Sequence, residues 1–414
     1  MFKMKILMVV AYFPPEIGSA AHVYHDLASA FVRNDHEVTV LTSYPREFNL
    51  NKSDQGKVFP NSEIINGINV RRSKIFSMRD FAFLRGLEHF FLPYSYFNEY
   101  KKMGEKFDVC LMYIPPLPLY QLANKIRKYD GTPSVLNYQD FHPQELLDVN
   151  YGGIKNNIIM IKLLEHMERK SYRDADYITV LSEGGIDYVV NKGADPSKVT
   201  HIYNGINPSD VHHFESKRDF KKNEGIEDKI LISYAGILSP FQGIDNILNV
   251  AKELKDHDDV IFYIAGDGMI KDNLEERIKN EDISNLKLIP FQPREEYFNI
   301  VNSSDISIVS LDDRMLAPCL PGKLTNLLAL KQPIIGIVSR KSETASFIKN
   351  VNCGNLVEPG DVDGFKNAIL ELKDNPMIRE KFGENGRRFI ENEMNLEKNV
   401  SIYKDIFYEL KKGK

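Results

Sequence analysis

The chain has no run approaching the ~18 consecutive apolar residues that a membrane-spanning helix needs. It can lie on a bilayer, but the sequence offers no span across one. Cysteine is scarce. Cys110, Cys319 and Cys353 stand far apart and odd in number. They give neither a C-x-x-C metal spacing nor a disulfide framework, and a reducing cytoplasm is the expected compartment. Excess positive charge is missing too. The net charge is -5, which argues against general nucleic-acid binding, since that requires a basic footprint. Internal repeats and low-complexity segments are also missing.

What is present describes an ordinary globular protein. The 414 residues are 43% hydrophobic and 27% charged, and that length predicts two domains of roughly 200 residues each. The opening, Met1 to Ala11, superficially resembles a signal peptide. Its apolar run is too short, and it leads into Tyr12-Phe13-Pro14-Pro15 without a small-residue cleavage site. A buried first strand over Lys5–Ala11 is expected instead.

Strand and helix patterns alternate from there on. Val23, Leu27, Ala30 and Phe31 fall at helical spacing. Val38–Thr42, Val70, Val109–Met112, Val135–Asn137, Tyr177–Leu181 and Lys198–Ile202 mark further strands. Asn204-Gly205-Ile206-Asn207-Pro208 is a dense turn signal, and the alternation restarts after it. Strands are expected at Ile230–Ala235, Val260–Ala265, Leu286–Ile289, Ile306–Ser310 and Pro333–Ile337, with a helix at Ile244–Leu254. The expected fold class is α/β, with two doubly wound parallel sheets. The expected division is 1–205, 206–390, and a C-terminal helical segment, 391–414, packing across the domains. Ligands of open α/β sheets bind beyond the carboxyl ends of strands, so the informative residues are those that follow strands.

Pro14-Pro15-Glu16-Ile17-Gly18 follows the first strand. Gly18 lets backbone approach a ligand, and the next helix offers free N–H groups to an anion. A plain strand–helix turn would also use a glycine there. Further along stand Ile202-Tyr203-Asn204-Gly205-Ile206-Asn207, Tyr234-Ala235-Gly236, Ala265-Gly266-Asp267-Gly268 and Pro321-Gly322-Lys323-Leu324. Pro333-Ile334-Ile335 and Cys353-Gly354-Asn355-Leu356-Val357-Glu358-Pro359-Gly360-Asp361 complete the series. In this order the chain resembles the family 4 retaining glycosyltransferases over nearly its whole length. The nearest subgroup is that of bacterial surface-polysaccharide assembly, including N-acetylfucosamine transferases.

That resemblance implies a GT-B fold, with two Rossmann-like domains facing a cleft. It implies retention of the donor's anomeric configuration, no catalytic metal, and no cofactor beyond a nucleotide-sugar co-substrate, UDP being the expected nucleotide. It implies a glycan or lipid-linked acceptor. Lys323 matches a family lysine near the donor diphosphate, where a point positive charge stabilises the leaving group. Without the match it would read as a solvated helix-start lysine. Gly236 and Gly243 bracket the other phosphate loop. Many members carry an arginine and a lysine where this chain has Ile237 and Gln242, while the nearest subgroup also tends to glutamine. The family's paired glutamates fall at Pro318 and Asn326. Asn326, beside Gly322 and Thr325, keeps hydrogen-bonding capacity toward a ribose but no charge.

Asp140 stands where the subgroup usually has aspartate, after a strand. It could accept the acceptor's proton, and His142 could do so near neutral pH. A turn aspartate and a surface histidine are the plainer alternatives. Phe291 and Gln292 align with the nucleobase cradle, although a buried core phenylalanine fits the ring equally. Glu343 aligns with the sugar-facing loop. Cys319 lies near these motifs without an activating neighbour.

Residues 71–106 hold eight basic and four acidic residues, with nine aromatics including Phe76, Phe81, Phe83, Phe90, Phe91, Tyr94, Tyr96 and Phe97. They fit either peripheral contact with anionic lipid at the inner face of a membrane or a packed helical hairpin. A non-catalytic relative that binds a partner or nucleotide without turnover, and a nucleotide-sugar epimerase, stay open as other readings. A nicotinamide-dependent dehydrogenase is a weak third reading. Gly266-Asp267-Gly268 lacks the third glycine and the acidic residue about 20 positions on.

Overall fold

The computed structural model describes residues 3–46, 50, 54–75, 88–209, 211 and 219–412. The chain divides into two compact units, residues 1–205 with 396–414, and residues 206–395.

The first unit contains β1 (Lys5–Val9), β2 (Glu37–Ser43), β3 (Ser62–Ile65), β4 (Ile68–Ser73), β5 (Val109–Ile114), β6 (Ser134–Tyr138), β7 (Tyr177–Val180) and β8 (Val199–His201). Among the described residues they form one sheet in the order β3-β4-β2-β1-β5-β6-β7-β8. Only the β3–β4 pair is antiparallel. The sequence suggests a single strand at Val70. The hairpin arises because Asn66 and Gly67 both adopt positive φ, 50° and 80°, as a tight two-residue turn requires.

Ile6, Leu7, Met8 and Val9 are wholly buried, because helices cover both faces of a parallel sheet. One face packs Ile6, Met8, Val40 and Leu111 against Tyr24, Ala28 and Phe31 of the helix Ser19–Arg33. Val400, Tyr403 and Phe407 of the last helix, Leu396–Lys412, join the same core. That helix therefore belongs to the first unit.

The second unit contains β9 (Ile230–Ala235), β10 (Val260–Ala265), β11 (Leu286–Ile289), β12 (Ile306–Ser310), β13 (Ile334–Ile337) and β14 (Gly354–Val357). Their order is β11-β10-β9-β12-β13-β14, and every pair is parallel. This is the doubly wound order in which chain direction reverses between the first and fourth strands. The loops leaving β9 and β12 diverge there, at the position where such folds bind ligands. The sequence gives little sign of β14, which opens on a glycine. A Cβ at Gly354 would lie 1.9 Å from the Ile334 carbonyl oxygen, so the close pairing of β13 and β14 requires that residue.

Candidate functional site

In the second unit the site is built on the Gly236–Gly243 loop. The loop leaves β9 and is held along its back by the chain leaving β10. Gly236 N–H donates to Ala265 O at 3.0 Å and Leu238 N–H to Asp267 O at 2.9 Å. The approach is so close that a Cβ at Gly266 would sit 2.0 Å from Gly236 O, and one at Gly268 would sit 2.2 Å from Leu238 O. Gly266-Asp267-Gly268, a weak fingerprint in the sequence, is thus the back wall of this loop. At the loop's far end, Gly243 O accepts from Asn246 Nδ2 at 2.9 Å and Ser310 Oγ at 3.2 Å. Asp312 N–H donates to Phe241 O at 2.9 Å.

Lys323 begins the helix Lys323–Ala329, with Gly322 at its N-cap. Its ammonium lies 3.7 Å from the centroid of the Tyr234 ring and donates to Gln242 Oε1 at 3.2 Å. Tyr234, buried beneath, places its hydroxyl 3.0 Å from the same Gln242 oxygen and 3.1 Å from Ile237 O. Among the described residues no carboxylate pairs with Lys323. The ring face and the amide supply cation contacts but no counter-charge. Burial consequently lowers the lysine pKa to about 7. A Cβ at Gly236 would lie 2.9 Å from Nζ, so glycine leaves the ammonium its room. Gly236, Gln242, Gly243, Gly322 and Lys323, singled out in sequence, come together. They form a cationic nook facing a tightly braced loop.

The other expected donor residues are placed around the same sheet edge. Thr325 is buried on the Lys323 helix. Asn326 hydrogen-bonds the Tyr297 hydroxyl, whose pKa burial pushes up to about 12. Phe291 is 44% exposed, so it is not a core ring. Gln292 Nε2 donates to Pro290 O at 2.8 Å. Glu343 opens the helix Glu343–Val351, where Ser342 Oγ caps Ala345 N–H at 3.1 Å. Thr344 Oγ1 donates to Cys319 O at 3.1 Å, which ties that helix to the loop leading into Lys323.

In the first unit, Gly18 precedes an N-terminus that no side chain caps, with no heavy atom within 4 Å of where its Cβ would stand. The fully buried Arg72 steadies this loop. It donates to Pro14 O at 3.1 Å and Pro60 O at 3.4 Å, and pairs with Glu63.

Asp140 follows β6. Burial raises its pKa to about 6. Glu145, in the short helix Gln144–Asp148, accepts from Phe141 N–H at 2.9 Å. Burial and then the charge of Asp140 drive the Glu145 pKa well up. His142 Nε2 lies 3.8 Å from Glu145 Oε2. Burial, then His89, lowers the His142 pKa to about 4, below the neutral range its residue type suggests. Burial thus favours the uncharged form of all three side chains, lowering the pKa of His142 and raising those of Glu145 and Asp140, with His142 neutral and Asp140 ionised at neutral pH. Glu145 goes unread in the sequence. Its signal is an acid three residues beyond His142 on the following turn.

A polar network supports the residue before Asp140. Asn137 Oδ1 accepts from Gln139 Nε2 at 2.6 Å and from the Tyr24 hydroxyl at 3.2 Å. Asn137 Nδ2 reaches Thr179 Oγ1 at 2.9 Å and the Tyr403 hydroxyl at 3.2 Å. Gln139 and Asn204 exchange amide hydrogen bonds of 3.1 and 2.7 Å. In such buried networks each satisfied partner restrains the next.

Of the aromatic segment 71–106, Phe76, Phe81 and Phe83 lie outside the described residues. The helix Glu88–Met103 buries Leu92, Tyr96 and Tyr100 and exposes Phe91 and Tyr94. Lys125 Nζ stands 4.2 Å from the Tyr94 ring centroid.

Comparison with known proteins places these features in a family. Residues 18–205 match the glycosyl transferase 4-like domain, and residues 215–389 match glycosyl transferases group 1. The chain is 22% identical to WcaI of Escherichia coli (strain K12), assigned by name to colanic acid biosynthesis as a glycosyl transferase. That alignment covers 91% of this chain and 95% of WcaI. It is 26% identical to an Escherichia coli UDP-Gal:alpha-D-GlcNAc-diphosphoundecaprenol alpha-1,3-galactosyltransferase, over 52% of this chain and 55% of that one. Among solved structures, Anabaena Alr3699/HepE in complex with UDP superposes with a TM-score of 0.70 at 14% identity, covering 98% of this chain and 99% of that one. Sucrose-phosphate synthase from Thermosynechococcus elongatus gives 0.75 at 14% identity, covering 98% and 100%. With these matches on both units, the chain belongs to the family 4-like glycosyltransferases of GT-B fold.

Proposed function

We propose that the protein moves a sugar from a UDP-linked donor to a lipid-linked or growing surface glycan, with retention and without a metal. The observation that carries this reading is Lys323, a half-buried ammonium with no carboxylate partner, set against the braced Gly236 loop. A diphosphate would supply the missing counter-charge. As the bond between the sugar's anomeric carbon and the diphosphate breaks, Lys323 and loop N–H groups stabilise the leaving group. The acceptor hydroxyl forms the new bond, and its proton passes to Asp140 or to a phosphate oxygen. Gly18, Thr325, Asn326, Phe291, Gln292 and Glu343 are proposed as the remaining donor contacts. The UDP bound to HepE and the diphosphoundecaprenol acceptor in the galactosyltransferase's name support the donor and acceptor chosen. The site of action is proposed to be the cytoplasmic face of a membrane, with the 71–106 segment touching lipid.

The test is isothermal titration with UDP and with GDP, in EDTA, beside Lys323→Ala. Micromolar UDP binding, weakened at least about tenfold in the variant, is expected for one charge-assisted contact of about 1.5–3 kcal/mol. No binding of either nucleotide, or equal binding by the variant, would sink the proposal. Asn326 in place of a carboxylate favours a second reading, binding without turnover. UDP would then bind while no sugar moved.

A further inference from the structure

Residues 150–166 contain no buried residue. Yet eight of them are apolar: Tyr151, Ile154, Ile158, Ile159, Met160, Ile161, Leu163 and Leu164. Side chains of this kind normally fill a core, and a contiguous exposed group of them marks an interaction surface. Ile158 is 59% exposed, Ile159 78% and Leu163 46%. An exposed run of this composition needs a physical reason.

The reason is length. The helix Ile158–Asp174 has 17 residues and runs back along a sheet whose flanking strands, β6 and β7, have 5 and 4. At 1.5 Å per residue the helix spans about 25 Å, whereas a five-residue strand spans about 16 Å. Its first buried residue is Met167, so the two preceding turns overhang the sheet. The overhang lies at the carboxyl edge, the edge from which Asp140 emerges, because the helix descends to the start of β7.

Charge selects the occupant. Lys155, Lys162 and Arg169 are exposed on or beside this projection, and none forms an ion pair among the described residues. The whole protein is acidic, at -5. Apolar side chains at a projecting tip, flanked by free cations, match the boundary between acyl chains and anionic headgroups. No described helix is long and apolar enough to cross a membrane, so contact would be peripheral. We propose that the Tyr151–Leu163 projection docks the first unit onto a bilayer surface containing anionic phospholipid. This deepens, and rests on, the lipid-linked acceptor reading. It brings the Asp140 edge to the plane where such an acceptor lies.

The test is co-sedimentation of the full chain with vesicles of phosphatidylcholine alone, or of phosphatidylcholine and phosphatidylglycerol in equal parts. Two variants are compared, Ile159→Ser with Leu163→Ser, and Lys155→Glu with Lys162→Glu. Because these positions are exposed, thermal unfolding and UDP titration should match the parent. Retained UDP binding separates failure of docking from failure of the donor site. The expected result is sedimentation with the phosphatidylglycerol vesicles, reduced at least about tenfold by either pair, since one removes apolar insertion and the other the attraction to anionic headgroups. Three results overturn the proposal. The parent does not sediment with the anionic vesicles, or both variants sediment like the parent. The third is a dimer that the serine pair abolishes while vesicles are ignored, which would assign the patch to a second copy.

Discussion

The lowered pKa of Lys323 makes donor binding depend on pH in a direction that can be worked out. Free in the protein, the amine titrates near about 7 because it is desolvated with only a ring and an amide for company. A diphosphate binds the ammonium far better than the amine, so binding must take up a proton wherever the amine is neutral. With a pKa near 7, the charged fraction is about one half at pH 7, about a tenth at pH 8 and about a hundredth at pH 9. UDP affinity should therefore fall about tenfold per pH unit above 7, or about 1.4 kcal/mol each. The fall ends where the pH passes the lysine's pKa in the complex. The nucleotide does not contribute to this slope, since a terminal phosphate with a pKa of about 6 is already ionised there. Titration calorimetry from pH 6 to 9, in two buffers of different ionisation enthalpy, reads both the affinity and the proton uptake. About 0.9 proton should be taken up at pH 8, and Lys323→Ala should abolish both effects. A parent protein whose UDP affinity is flat from pH 7 to 9, without proton uptake, would refute the placement of Lys323 on the diphosphate.

Other substitutions separate loop geometry from loop support. Gly236→Ala puts a methyl 2.9 Å from Lys323 Nζ, the end of a flexible side chain. It should weaken UDP binding about tenfold in calorimetry. Gly266→Ala instead meets the Gly236 carbonyl at 2.0 Å and should destabilise by about 1–3 kcal/mol in denaturant unfolding. Asp140→Asn should lower kcat about 10²–10⁴-fold. It should also erase an acid limb centred near about pH 6, above which the parent's carboxylate is ionised. Glu145→Gln should keep near-parent activity at pH 7, because burial favours the uncharged carboxyl there and the amide can still accept from Phe141 N–H. Glu145→Ala leaves that donor unpaired and should cost about 1–3 kcal/mol of stability.

Much of this protein was legible because its local signals agree. Continuous apolar strands, turn clusters and glycines at strand ends all point to doubly wound sheets, and Gly236, Gln242, Gly243, Gly322 and Lys323 do converge. The misses have separate physical causes. Asn66-Gly67 carries a hairpin signal, but the four-residue β3 beside it is too short and too exposed to show alternation. β14 opens on a glycine, a poor strand former, because the neighbouring backbone leaves no room for a side chain. Glu145 owes its state to burial, which periodicity does not reveal in a five-residue helix. The apolar run from Ile158 to Leu164 has core-like composition. Only the mismatch between helix and strand lengths turns it outward.

The central claim is retaining transfer from a UDP-linked sugar at a site that holds the diphosphate on Lys323. It is tested most directly by incubating the protein with an α-configured UDP-sugar panel and a diphosphoundecaprenol-linked sugar acceptor, in EDTA. The glycan product is then examined by NMR. The account predicts one UDP released per sugar transferred, an α-linkage in the product, and loss of both with Lys323→Ala. A β-linked product, transfer that survives Lys323→Ala undiminished, or tight UDP binding with no transfer from any donor would contradict it.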